Sequence, residues 1–331
     1  MRGPFTAVTR FFLAMRLEEC ITLLFFLPIA VALASLAQGP PAPPVSPAAA
    51  NYPDSFQRLV TLVGSVAVFL WVSRTKPHWG LIRDSLPFLF CANIYANLHD
   101  LIRFYGRPDI TMALYRWDVR LFGVEPTVWA ERFIHPLLTD FLTVSYWTFY
   151  VLPPMLGLFL YLKGDRPAFR VTLLSIMLCL YLGYIGYVLW PASAPRLAIP
   201  ESYTVTLRGE SAALDYTRAA TAAIPLTSKG AFPSLHCAVA LLSVLLSWRH
   251  LRWMFPIQVL FGAGLVFGTI YLRHHWAVDI LAGFALTLVA FWCGPPLERW
   301  WERAAARCEA ERTAEIVRGG SPSGTPSLIE S

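Results

Sequence analysis

An all-α integral membrane protein with about eight transmembrane helices is the fold class this sequence predicts, and three observations predict it. Apolar residues make up 56% of the 331 residues and charged residues 15%, with a mean hydropathy of +0.51, a balance foreign to ordinary soluble domains. Apolar runs that approach a hydrocarbon core of about 30 Å at about 1.5 Å per residue recur eight times. Lysine and arginine cluster in alternating connections, as cytoplasmic loops require.

Taken in order, an N-terminal arm with Arg2, Arg10 and Arg16 leads into the first run, 20–37. That arm and the small residues Ala32, Ala34 and Ala37 also fit a cleaved signal peptide, although Glu18 and Glu19 against the apolar stretch are atypical of one. Segment 38–53 is a proline-rich extended linker without Lys or Arg, expected outside. Run 57–73 returns the chain to a basic loop with Arg74, Lys76 and Arg83, and run 84–104 takes it out again. Between about 110 and 132, Trp117, Leu121, Phe122, Val124 and Trp129 alternate with charged residues, which suits either an amphipathic helix on the outer interface or a capping loop.

Run 139–162 ends in a basic loop with Lys163, Arg166 and Arg170, and run 170–190 opens into a long outer loop, 191–233. Runs 234–249 and 254–272 are joined by an inner turn with Arg249 and Arg252. Run 276–294 leads to a charged, helix-like stretch with Arg299, Arg303, Arg307 and Arg312, and then a Ser/Gly/Pro-rich tail expected to be disordered. Both termini are thus predicted inside. The division is 1–83, an arm with two spans and the linker; 84–294, a six-helix membrane domain; and 295–331, a cytoplasmic tail. Arg107, Arg116, Arg120, Arg132, Arg196, Arg208, Arg218 and Lys229 fall outside against the charge rule, where they suit an anionic substrate.

Six cysteines show no paired ligand spacing and read as small buried hydrophobes. No internal repeat and no glycine-rich nucleotide loop is present, and the net charge of +6 follows from topology rather than from nucleic acid.

The chemistry lies in two segments, Phe232-Pro-Ser-Leu-His236 and Tyr271-Leu-Arg-His-His-Trp-Ala-Val-Asp279. His275 and Asp279 are four apart at a helix start, so the carboxylate faces the imidazole and accepts its Nδ1 proton. Nε2 is then a nucleophile towards phosphorus, forming a phosphohistidine that divides one displacement into two. The leaving alkoxide needs an acid, and His236 at the start of another span is the candidate. Phosphate oxygens need donors: the free backbone N–H groups after Pro233 with Ser234, together with Arg196, Lys229 and Arg273. The scheme calls for no metal and no cofactor. Blander roles suit the remaining polar residues. His274 reads as a headgroup-level side chain or a second hydrogen-bonding partner. Lys229 fits a lipid-facing cation equally well. Asp100 and Arg103 read as a structural ion pair, Asp140 and Tyr146 as either site-facing or buried, and His78, His99, His135 and His250 as structural.

Pro-Ser-Leu-His followed some forty residues later by His-x-x-x-Asp resembles the second and third signature motifs of the type 2 phosphatidic acid phosphatase superfamily. Ala231-Phe-Pro-Ser-Leu-His236, Tyr271-Leu-x-His-His275 and Asp279-x-x-Ala-Gly283 are more similar still to its inositol phosphorylceramide synthase branch, as is Pro191-Ala-Ser-Ala-Pro-Arg196. Two departures from the superfamily, Gly268-Thr269 in place of Ser-Arg and the missing Lys-x6-Arg-Pro motif, separate the chain from the ordinary lipid phosphatases. The resemblance spans about residues 84–294. It implies a six-helix core with an outward site, His275 as nucleophile, Asp279 as its partner and His236 as acid and base. The expected activity is transfer of a phospho-headgroup, phosphoinositol by analogy, from a phospholipid to a lipid hydroxyl. A lipid phosphate phosphatase and a non-catalytic lipid transporter of the same fold are the alternatives. The expected partners are membrane lipids, and the expected location is a bacterial inner membrane with the site on the periplasmic face.

Overall fold

A computed structural model of the protein describes residues 7–37, 55–75, 80–223 and 228–319. The whole proline-rich linker, 38–53, and the Ser/Gly/Pro-rich tail from residue 320 lie outside the described residues. The N-terminal arm forms α1 (Ala7–Leu13) and turns into α2 (Leu17–Ala37). Then come α3 (Ser55–Thr75), α4 (Gly80–Tyr105), α5 (Thr111–Phe122) and the single turn α6 (Pro126–Trp129). They are followed by α7 (Pro136–Trp147), α8 (Leu152–Leu162), α9 (Arg166–Leu189), the short α10 (Pro195–Ala198) and α11 (Ala212–Ala223). The chain closes with α12 (Leu235–His250), α13 (Phe255–Tyr271) and α14 (Ala277–Gly319). Extended pairing among the described residues is limited to one bridge, Ala192 with Gly230.

All eight predicted runs are helical, with length and shape departing from expectation in places. Among the described residues α2, α3, α9 and α14 are long and apolar enough to cross a bilayer, while α12 and α13, at 16 and 17 residues, are shorter apolar helices. The run predicted as one helix over 139–162 is two, α7 and α8, bent by 47°. The reason is local: Pro153 and Pro154 cannot donate to the preceding turn, and the hydroxyls of Ser145 and Thr148 bond back to Phe141 O and Ser145 O at 2.8 and 2.6 Å. The charged stretch after residue 294 continues α14 without a break, because Pro295 and Pro296 are absorbed within one 43-residue helix.

One continuous core ties the first two long helices to the rest: Leu33, Phe69, Phe90, Tyr181, Leu235 and Leu246 belong to the same buried cluster. Within it the Thr22 hydroxyl meets the Tyr181 phenol at 2.8 Å, so α2 is bound to α9 by a polar contact as well as by packing. At the end of the bundle away from the histidines, carboxylates and guanidiniums interlock. Arg170 bridges Glu18 and, at 3.0 Å, Glu298; Arg83 holds Glu19 at 2.9 Å; Arg16 pairs with Asp84. These acids are buried, so each is tolerable only while its partner stays in place. Nineteen residues of α14 separate Asp279 from Glu298, about 28 Å at 1.5 Å per residue, close to the hydrocarbon thickness of a bilayer. This is the geometry of an all-α integral membrane protein with polar groups gathered at two levels.

Two smaller expectations are corrected. Asp100 pairs with Arg58 of α3 rather than with Arg103, because Arg58 approaches it from the neighbouring helix. Five cysteines are buried as expected, but Cys293 is exposed on the outer surface of α14.

Candidate active site

Three segments distant in sequence meet at one end of the bundle. The first is the loop after α9: Ala192 N donates to Lys229 O and Ala231 N to Ala192 O, both at 3.0 Å, so the Pro191–Arg196 stretch runs beside the segment that opens α12. The second is the start of α12, where the Ser234 hydroxyl accepts from Cys237 N at 3.4 Å as the N-cap. The third is the tight connection from α13 to α14. Arg273 takes a left-handed conformation there, φ 65°, and the amides of His274 and His275 both donate to Thr269 O, at 2.8 and 3.1 Å. That reversal turns both histidines inward, where a longer loop would leave them at the surface.

α12 and α14 approach closely enough to couple the motifs. Ser234 N donates to Asp279 O at 3.0 Å, and a Cβ on Gly283 would stand 2.4 Å from Ser234 O. Glycine at 283 is therefore a condition of the contact.

The His275 Nδ1 lies 3.3 Å from Asp279 Oδ2, which also accepts from Trp276 N at 3.0 Å. The first of these is long for a hydrogen bond, as unliganded catalytic pairs often are. Burial, helped by the nearby Arg196 charge and opposed by the Ala231 carbonyl, pushes the His275 imidazole down to about 3. It is thus neutral near pH 7, with a lone pair available for attack. The His236 ring lies 5.7 Å from that of His275, centroid to centroid. It is clamped between Tyr146, stacked at 4.7 Å, and Phe149 at 4.5 Å. Among the described residues neither ring nitrogen of His236 has a hydrogen-bond partner, and Asp279 Oδ1, Arg196 Nε and His274 Nε2 are likewise unpartnered. Buried polar atoms without partners are costly, and here they gather around one space.

Arg196 completes the group. Its backbone N–H donates to Arg273 O at 3.2 Å and its guanidinium meets His274 Nδ1 at 2.7 Å. His274 thus fills the second of the roles its sequence suggested, and Tyr146, left open between two readings, packs on both His236 and His274. Other expected phosphate ligands are directed elsewhere. Arg273 donates to Glu131 at 2.8 Å and lies over the Tyr203 ring. Lys229 pairs with Asp109 and donates to Ser193 Oγ at 3.0 Å. Ser234 is fully buried as a helix cap. Asp140 accepts from the amides of Glu210 and Ser211, each at 3.0 Å, and so anchors the outer loop. Among the described residues no group of three His, Cys, Asp or Glu is placed to hold a metal ion.

Sequence reasoning passed over Phe149, Ser193 and Asp118. Ser193 joins three segments, its N–H to Thr111 Oγ1, its hydroxyl to Ser228 O and its carbonyl to the Trp276 indole. Asp118 carried a usable signal: with Thr111 and Leu114 it falls on one face of α5 at i, i+3 and i+7, and that is the buried face.

Two fungal inositol phosphorylceramide synthases match short segments. The Candida albicans protein is 39% identical over 66 residues, 19% of this chain and 13% of the relative. The catalytic subunit from Saccharomyces cerevisiae is 37% identical over 62 residues, 19% of this chain and 16% of the relative. The chain thus spans less than a fifth of either fungal relative. The phosphoinositol dihydroceramide synthase of Bacteroides thetaiotaomicron is 26% identical over 232 residues, covering 62% of this chain and 74% of that protein. No solved structure matches the chain. The sequence profile of the PAP2 superfamily matches residues 112–293, which takes in α5 from its second residue and both histidine motifs and runs to the apolar end of α14, so the chain belongs to the PAP2 superfamily.

Proposed function

We propose that this protein is a membrane phosphotransferase that moves a phospho-headgroup, phosphoinositol, from a phospholipid to the hydroxyl of a ceramide-like lipid through a phosphohistidine on His275. The observation that carries the reading is the pairing of two unequal histidines with ring centroids 5.7 Å apart, His275 backed by Asp279 and His236 with neither nitrogen partnered among the described residues, beside the Arg196 guanidinium.

In the first step the His275 Nε2 lone pair attacks phosphorus, the bond from phosphorus to the diacylglycerol oxygen breaks, and His236, held as an imidazolium by the negative charge of the bound phosphate, gives its proton to the departing alkoxide. Asp279 holds the Nδ1 proton and stabilises the cationic ring. In the second step neutral His236 takes the proton of the acceptor hydroxyl, whose oxygen attacks phosphorus as the bond to Nε2 breaks. Arg196 balances charge on the phosphoryl oxygens in both steps. The headgroup and acceptor classes rest on the names of the relatives. The basic residues Arg16, Arg83, Arg166 and Arg170 at the end away from the histidines support an orientation with both termini cytoplasmic and the site on the periplasmic face of a bacterial inner membrane.

The test is turnover of labelled phosphatidylinositol in mixed micelles with a ceramide or diacylglycerol acceptor. A new phosphoinositol lipid, reduced on the order of 1,000-fold or more by His275→Ala, is the expected result. Release of inositol phosphate or inorganic phosphate without a new lipid would replace the transferase with a hydrolase. Lipid movement that survives His275→Ala, with no turnover, would replace both with a transporter.

A further inference from the structure

α5 is an amphipathic element at the site end to which the proposed chemistry gives no task, yet its buried face meets the catalytic helix directly. The fully buried Asp118 carboxylate accepts the amide of Ala277 at 2.7 Å and that of Val278 at 2.9 Å. These are first-turn N–H groups of α14, which have no partner inside the helix. The adjacent amide, Trp276 N, donates to Asp279 Oδ2, the oxygen that also faces His275 Nδ1. Two carboxylates from different helices therefore divide the three leading amides of α14 between them. The remainder of α5 holds the same region in register: Tyr115 packs edge-on to Trp276 at 6.0 Å, and Thr111 Oγ1 receives Ser193 N at 2.8 Å.

We propose that Asp118 is a positioning residue for the phosphoryl-transfer reaction, occupying the Ala277 and Val278 amides so that the Asp279 carboxylate remains directed at His275 Nδ1. Without Asp118 the two freed donors lie within a turn of Asp279, whose Oδ1 has no partner among the described residues. Rotation of that carboxylate towards the helix axis weakens the bond to His275. The nucleophile then loses both its fixed orientation and the negative partner that raises its basicity. Substrate contacts, which lie with Arg196 and His236, are not altered.

This inference rests on the reading of His275 as nucleophile, so the experiment has one arm that needs lipid turnover and one that does not. In the first, Asp118→Ala and Asp118→Asn are assayed per folded molecule in the same micelles. Loss of an outer-shell partner of a catalytic group is on the order of 10-fold to 100-fold, so kcat should fall by that amount in Asp118→Ala with KM for the phospholipid unchanged. The decrease should be smaller in Asp118→Asn, which keeps one carbonyl acceptor. In the second arm the rate of carbethoxylation of His275 by diethyl pyrocarbonate at neutral pH is followed by peptide mass spectrometry. It should fall several-fold in both variants, because the imidazole has lost the fixed carboxylate partner that directs its Nε2.

Variants with unchanged kcat and an unchanged carbethoxylation rate, whatever their melting temperature, overturn the proposal and leave Asp118 a purely structural cap. If Asp118→Ala does not fold, Asp118→Asn, close to it in shape, decides on the same two readouts. A wild-type protein that turns over no phospholipid overturns the proposed function, while the carbethoxylation arm still decides whether Asp118 governs His275.

Discussion

Replacing Gly283 by alanine tests how tightly the two histidine motifs must be held. The added Cβ would lie 2.4 Å from Ser234 O, whereas ordinary Cβ contacts begin at 3.4 Å, so the backbone that opens α12 has to retreat by about 1 Å. Ser234 is two residues before His236 and cannot yield alone, since its N–H is bound to Asp279 O and its hydroxyl caps the helix. The retreat therefore moves His236 relative to His275. Misplacement of about 1 Å in a site that works by positioning costs about 100-fold in rate. Stability changes less: overpacking costs about 1–3 kcal/mol, against which alanine regains about 1 kcal/mol of helix propensity over glycine. Gly294→Ala on the same helix is the control. Its Cβ would meet the Ser175 hydroxyl at 2.1 Å, far from the histidines and against a side chain that can rotate. Initial rates of lipid transfer and thermal melts in one detergent separate the two effects. A Gly283→Ala protein with kcat within threefold of wild type would refute the claim that this helix contact sets the geometry between the histidines.

Arg170→Leu leaves Glu18 and Glu298 buried without their partner, at a cost of about 3–5 kcal/mol. It should show as a large decrease in melting temperature with kcat per folded molecule unchanged, and a melt within 2 °C of wild type would contradict the assignment. Arg196→Ala should reduce kcat/KM by about 100-fold to 1,000-fold, as loss of a donor to transition-state charge does. His274→Ala, which releases the guanidinium and removes one packing partner of Tyr146, should have a smaller effect read mainly in KM; equal kcat losses in the two variants would make His274 a participant in the chemistry. Burial pushes the Asp118 carboxyl up to about 6, against the pull of the Ala277 and Val278 amides and with added repulsion from Asp279 and Glu125. Because this value lies above the ordinary 3.8 of the unfolded chain, the folded state holds the extra proton between the two. The contribution of this group to stability is then complete below about pH 4 and lost as pH rises through about 6. Turnover should move the opposite way, falling as pH drops through about 6 when the acceptor is protonated, with the fall flattened in Asp118→Asn. Turnover and melting temperature falling together on acidification would point to general acid unfolding instead.

The spans, their order and the His275 and Asp279 pairing could be read from the chain alone, because each is set by neighbours in sequence. A hydrocarbon core selects apolar runs by length, and a separation of four residues at a helix start places two side chains on one face whatever surrounds them. The same locality explains the proline-rich start of α8, whereas the 47° bend it produces does not show in a continuous apolar run, which reads as one helix. What the chain could not show was which partner each polar side chain would find. Arg196, Lys229, Arg273 and Ser234 are all candidates for the phosphate by type and position, Lys229 fitting a lipid-facing cation equally well. Only the folded protein directs Arg196 to His274 and the histidine cluster, while Lys229 turns to Asp109, Arg273 to Glu131, and Ser234 to the cap of α12. Asp118 and Ala277 are separated by more than 150 residues. Their meeting depends on how α5 lies across α14, a packing outcome summed over many weak contacts that no local pattern encodes. Sequence determined which chemical groups are present and which level of the bilayer they occupy; tertiary structure decided which of them face one another, because hydrogen bonds and ion pairs act only across the few ångströms that long-range packing brings about.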